Sequence, residues 1–166
     1  KVMQHLCNTF KNTIDINKQN NYGYTALMLA VQYNTNEQVI QCLCDTFKNT
    51  IDINEQSSGG YTALMFAAQY NTNIKVMQCL CTTFKDTINI NKQDKYDRST
   101  LMIAVQYNTN DKIIQYLCDM FKNTIDINKQ NNYGQTILMF AAQYNTNDKV
   151  MECLCNTFED VIDINI

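Results

Sequence analysis

Eight cysteines and a single histidine are the side chains of this 166-residue chain best suited to chemistry. Thiolates and imidazole bind metals such as zinc, and a Cys–His pair can act as a nucleophile. Their spacing speaks against both uses. Cys7, Cys44, Cys81, Cys118 and Cys155 form one column at a constant step. Cys42, Cys79 and Cys153 form a second, in which His5 and Tyr116 hold the other places. On a helix, residues two apart such as Cys42 and Cys44 point to different sides and cannot share a metal ion. Like positions on neighbouring helices lie roughly 8–10 Å apart. A disulfide needs Cα atoms roughly 4.4–6.8 Å apart. The first column is therefore expected to be reduced core cysteine standing in for leucine, with no metal and no cofactor. So many persistent thiols imply a reducing compartment, the cytoplasm or the nucleus. His5 has Cys7 only two residues away and reads as a solvent-edge side chain. No paired carboxylates recur on one face and no glycine-rich phosphate loop is present, so the chain is expected not to be an enzyme.

Composition narrows the function classes further. Apolar residues make up 45% and charged residues 17%, which is the balance of a folded chain and not of a disordered one. The net charge of -3 leaves no basic footprint for nucleic acid. No apolar run reaches the roughly 18–20 residues of a membrane span.

The elements that carry these side chains follow from an internal repeat. Thr25-Ala26-Leu27-Met28 returns at Thr62, a step of 37 residues, then as Ser99-Thr100-Leu101-Met102 and Thr136-Ile137-Leu138-Met139. Ile14-Asp15-Ile16-Asn17 and Phe10 recur with the same step, without insertion or deletion. The chain reads as one array over 1–166: a half repeat (1–17) and full repeats 18–54, 55–91, 92–128 and 129–165. Within one repeat, Leu27, Met28, Ala30 and Val31 mark a short amphipathic helix. Asn34 is expected to end it in the left-handed conformation, and Asn36 to cap a second helix whose first turn holds Glu37, Asp111 or Asp148. Val39, Ile40, Leu43, Cys44 and Phe47 give that second helix its apolar face. The aspartates of Ile-Asp-Ile-Asn are expected to bond local backbone. A polar loop ending on a turn glycine, Gly23, closes the unit. Neither helix can bury its stripe alone, so the pattern predicts an all-α helical repeat solenoid.

The repeat resembles the ankyrin family. Gly23-x-Thr25-Ala26-Leu27-Met28-x-Ala30 is similar to its G-x-T-P-L-H-x-A signature. Val39-Ile40-x-x-Leu43-Cys44 resembles its second-helix pattern, and Ile51-Asp52-Ile53-Asn54 its closing A-D-V-N. Ala, Thr or Ile replaces the signature proline, and Met replaces the signature histidine, so Met packing takes over that inter-repeat linkage. One extra residue falls in the Tyr-Asn-Thr-Asn turn and three after Cys44, an added helical turn anchored by Phe47. Asp97 occupies a turn-glycine place and is expected to distort its finger. Lys1 to Cys7 reads as a second helix without its first, and neither end carries a polar capping repeat, as expected of part of a longer repeat protein.

The resemblance implies a protein-binding scaffold with a concave groove and projecting finger tips. Gln32-Tyr33, Gln69-Tyr70, Gln106-Tyr107 and Gln143-Tyr144 form an invariant column where the first helix ends, facing that groove, and serve either as binding surface or as repeat structure. Tyr22, Tyr96 and Tyr133 fall on finger tips. Tyr24, Tyr61, Arg98 and Gln135 occupy a place that varies between copies, as partner specificity requires. Lys95, Asp97 and Arg98 make one finger the most charged, and Ile74 is the apolar exception among the helix starts. Tyrosine supplies large, rigid, amphipathic contact area. The expected partner is a protein. The competing reading is a structural or self-associating array, joined end to end through Val2/Leu6 and Ile164/Ile166.

Overall fold

The structure, a computed structural model, describes residues 9–163 together with His5 and Cys7. Its first helices are α1 (Ala26–Tyr33), α3 (Ala63–Tyr70), α5 (Thr100–Tyr107) and α7 (Ile137–Tyr144). Its second helices are α2 (Glu37–Phe47), α4 (Ile74–Thr83), α6 (Asp111–Phe121) and α8 (Asp148–Phe158). First helices stack on first helices and second on second, giving two layers of an all-α solenoid. An isolated bridge between Gln93 and Ser99 is the sole extended pairing among the described residues.

Each helix starts where the sequence supplies a cap. Thr25, Thr62, Ser99 and Thr136 accept the N–H of the methionine three residues on. Met28 and Met65 return the contact, their sulfurs accepting from the Thr25 and Thr62 N–H groups at 3.4 and 3.5 Å. The signature-histidine place thus closes a capping box inside its own repeat. Asn36, Asn73, Asn110 and Asn147 cap the second helices as expected. Asn34 does not end α1 in the left-handed conformation. It is extended, at φ -118° and ψ 115°. Its Oδ1 instead accepts the Asn36 N–H at 2.9 Å, folding the chain straight into the next cap.

The asparagines also tie the repeats together. Asn71 donates to the Val31 and Asn34 carbonyls, Asn108 to those of Ala68 and Asn71, and Asn145 to that of Val105. Asn54 donates to the Thr87 carbonyl at 2.7 Å and accepts the Asn89 N–H at 2.8 Å; Asn17, Asn91 and Asn128 repeat that double bond. Gln19, Gln56 and Gln93 each reach the backbone of the glutamine one repeat on. Asn71 and Asn108 are buried, so each amide satisfies carbonyls that the end of a helix would otherwise orphan. The polar linkage that methionine cannot make is therefore carried by amide ladders.

The core runs continuously between the layers. Leu27, Leu64 and Leu101 from the first helices meet Ile40, Met77, Leu80, Ile114 and Leu117 from the second. Phe47 is buried at the last position of α2, so the added turn is anchored as its sequence implies. Ile74 is half-buried against the core, not an exposed contact.

Each finger turn uses the left-handed backbone, at Gly23, Gly60, Asp97 and Gly134. Gly60 has φ +82°, and a Cβ there would stand 2.8 Å from the Lys95 nitrogen of the next finger. Asp97 sits in the same turn at φ 57°. The finger is not distorted: Asp97 N–H reaches the Asp94 carbonyl at 3.0 Å, as Gly60 N–H reaches that of Ser57 at 2.8 Å. Aspartate tolerates this region because its short side chain adds little steric conflict.

Candidate protein-binding groove

The fingers and the ends of the first helices share one face. Tyr33, Tyr70, Tyr107 and Tyr144 close α1, α3, α5 and α7 and are exposed by 42–74%. Tyr22, Tyr96 and Tyr133 on the finger tips are exposed as well. Tyr24 and Tyr61 are half-buried, and they flank Phe66 with ring centroids 5.2 and 5.1 Å away. Phe66 stacks on Tyr70 at 6.3 Å, and Phe140 lies 5.4 Å from Tyr144. Buried Phe66 and Phe140 thus set the angle of exposed tyrosines, a supporting role that the tyrosine columns alone do not reveal.

Arg98 connects finger to helix end. Its Nη1 donates to Gln106 Oε1 at 3.1 Å and to the Tyr107 hydroxyl at 3.3 Å, and its Nη2 to the Tyr61 hydroxyl at 2.6 Å. Nε and Nη2 form a fork on Asp94 Oδ2 at 2.9 and 2.7 Å. The guanidinium lies 5.3–5.9 Å from the ring centroids of Tyr61, Tyr96 and Tyr107. Burial alone would lower its pKa, but Asp94 and the tyrosines hold it above the ordinary arginine value. Burial pushes the Tyr61 hydroxyl up to about 12 against the pull of Arg98, so it stays protonated. With its side chain 13% exposed, Arg98 is mostly committed within the chain. Lys95 is exposed, and its backbone N–H bonds the Gly59 carbonyl of the preceding finger. Asp94 is a partner that the tyrosine and glutamine columns do not reveal. Its signal is a paired change: this place holds Asn20, Ser57 and Asn131 elsewhere and becomes Asp only four residues before an arginine.

The varied place also decides how the invariant glutamines are satisfied. Gln106 accepts from Arg98, and Gln143 accepts from Gln135 Nε2 at 2.7 Å. In the two copies that carry Tyr24 and Tyr61, the buried Gln32 and Gln69 Oε1 atoms have no donor. Between the last two fingers, Tyr96, Arg98, Tyr133, Gln135, Phe140 and Tyr144 border an open depression of about 490 Å³. Arg98 thus gathers Tyr61, Tyr96, Gln106 and Tyr107, with Tyr133, Gln135, Gln143 and Tyr144 beside them, while Tyr22, Tyr24 and Tyr70 cluster about Phe66 and Tyr33 is exposed at the end of α1. The arrangement offers aromatic faces, hydroxyls and amides, groups suited to contacts with another surface.

A stack of paired helices with projecting, hydrogen-bonded fingers defines a class of repeat protein. The family model for ankyrin repeats (3 copies) matches residues 1–94 and again 80–166, and the chain belongs to the ankyrin-repeat family. A search of curated proteins found no match. Ankyrin repeats are generally protein–protein interaction modules, and the family is typically non-catalytic. No helix among the described residues is long and apolar enough to cross a membrane.

Proposed function

We propose that this chain is a non-catalytic scaffold module that presents a concave, tyrosine-lined groove and its finger tips to a protein partner. One observation carries the reading. Seven tyrosines, at the finger tips and the ends of the first helices, stand exposed although the core beneath them has closed without them. So many exposed aromatic residues on the projecting parts of a repeat mark an interaction surface more often than a single exposed residue does. Tyrosines of this kind act as anchors when a partner desolvates them. The module would serve inside a longer repeat protein in a reducing compartment, the cytoplasm or the nucleus.

Replacing Tyr33, Tyr70, Tyr107 and Tyr144 together by alanine tests this directly. The helical circular-dichroism signal should persist, because these rings are exposed. A protein captured from source-cell lysate by the parent chain should be lost by the variant. Equal capture by both would remove the groove as the site.

The competing reading is a structural or self-associating array of near-identical repeats. Val2, Leu6, Ile164 and Ile166, the residues assigned to its end-to-end contact, lie outside the described residues. Static light scattering over a concentration series distinguishes the two: a mass that climbs with concentration favours association, and a constant 19.2 kDa argues against it.

A further inference from the structure

The gap between the last two fingers is built differently from those before it, at the place that varies between copies. In the second repeat that place holds Tyr61, whose ring rests on Phe66 at 5.1 Å. In the third it holds Arg98, which fills the space among Tyr61, Tyr96 and Tyr107. In the fourth it holds Gln135, whose Nε2 turns to Gln143 Oε1 at 2.7 Å. Phe140, the counterpart of Phe66, therefore has no ring from the finger resting on it, and the open depression of about 490 Å³ lies beside it. The two fingers are held at fixed spacing there, because the Asn132 N–H donates to the Tyr96 carbonyl at 3.3 Å. Tyr96, Tyr133 and Tyr144 border the depression and are exposed.

The hydrogen bonds around the depression decide what it can hold. All five N–H groups of Arg98 are spent, on Asp94, Tyr61, Gln106 and Tyr107. Asp94 balances its charge, and no carboxylate borders the depression. The site therefore offers an anion no free guanidinium donor and a cation no counter-charge. The side-chain amide oxygens are spent too. Asn131 Oδ1 accepts the Tyr133 and Gln135 N–H groups, both at 2.9 Å. Gln135 Oε1 accepts from Asn131 Nδ2 at 3.2 Å, and Gln106 Oε1 accepts from Arg98 at 3.1 Å. Gln106 Nε2 and the hydroxyls of Tyr96, Tyr133 and Tyr144 make no hydrogen bond among the described residues. What the depression has left is aromatic faces and groups that can donate.

We infer that this depression takes an uncharged, proline-rich segment of the partner protein, with proline rings against Tyr96, Tyr133 and Tyr144 and carbonyls toward the free donors. The inference rests on the groove reading above and narrows it to one gap and one backbone chemistry. An ordinary extended segment brings an N–H with every residue, and each one buried without an acceptor loses its hydration uncompensated. Proline has no N–H and keeps its carbonyl, so it matches a site whose amide acceptors are already taken. A run of prolines holds the polyproline II conformation, which makes no internal hydrogen bonds and leaves its carbonyls free. Its ring is a compact apolar body that packs on aromatic faces, and the preformed helix loses little entropy on binding. The charge balance agrees, since a neutral segment meets a surface with no unpaired charge.

The test titrates the isotope-labelled chain with blocked decaproline and follows its amide signals by NMR. Signals of Tyr96, Gln106, Tyr133, Gln135 and Tyr144 should shift and saturate, while a glycine–serine peptide of equal length leaves them in place. Gln135→Tyr should weaken binding by roughly tenfold or more. It sets a ring against Phe140 as Tyr61 is set against Phe66, so the fold has a precedent within the chain. Tyr133→Ala removes a ring that is 74% exposed and should weaken binding several-fold with the fold intact. No saturable shift, equal shifts with the glycine–serine peptide, larger shifts with a glutamate or lysine peptide, or binding indifferent to both substitutions would each overturn the inference. The groove reading fails separately. If a lysate protein is lost by the four-tyrosine variant but is not displaced by decaproline, and decaproline shifts nothing, the groove stands and its proline specificity falls.

Discussion

Asp94→Ala is expected to lower the unfolding free energy by roughly 3–5 kcal/mol, the range for breaking one side of a buried ion pair. Asp94 has no exposed side-chain surface, and its carboxylate does three jobs. It accepts the Tyr96 and Arg98 backbone N–H groups, both at 2.9 Å, which holds the finger turn. It also pairs with the Arg98 guanidinium. Alanine leaves a largely buried cation and two turn donors without a partner. A rescue follows from the neighbouring repeat, where Asn131 holds the turn and Gln135 reaches Gln143 without any charge. The double variant Asp94→Asn with Arg98→Gln copies that arrangement and should recover most of the loss. Urea unfolding of the parent, the single variants and the double variant measures this. A cost for Asp94→Ala below about 0.5 kcal/mol, typical of a surface change, would show that the ion pair is not structural.

Leu80→Ala should cost roughly 2–5 kcal/mol, the span of buried leucine truncations. Leu80 lies in the middle of α4 and is completely buried, with repeats packed on both sides. Removing its side chain loses apolar transfer energy and leaves a cavity that two stacked neighbours hold open. In a solenoid each repeat is stabilised by its neighbours, so the loss weakens two interfaces at once. The midpoint of urea unfolding should fall with little change in slope. An unchanged midpoint would mean that the core face of the second helix is elsewhere.

Some of the groove could be read before any coordinates and some could not. The tyrosine columns, their spacing and the finger positions are periodic, and periodicity along a helix translates directly into a shared side. Arg98 was equally visible as a charged exception, but its direction was not. An arginine on a finger can reach outward to a partner or inward to an acid, and only the placement of Asp94, Tyr61 and Tyr107 around it decides for the latter. Taken one at a time along the chain, the asparagines are turn and cap residues. Their second function, donating across the stack, depends on carbonyls supplied 33–40 residues away. Asn34 shows the same limit: tolerance of the left-handed region is a property of asparagine, but the short turn into the next cap required an extended backbone.

By itself the sequence determined the 37-residue period, the caps, the apolar face of each helix and the ankyrin character of the array. These are local quantities, set by about 100° of rotation per residue and by side chains within a turn of one another. The tertiary structure alone decided which columns meet. Asn71 reaches Val31, Asn108 reaches Ala68, and Arg98 folds back on Asp94. Such contacts depend on the rotation and offset between one repeat and the next. That offset is the outcome of packing whole faces together, which no single position along the chain specifies.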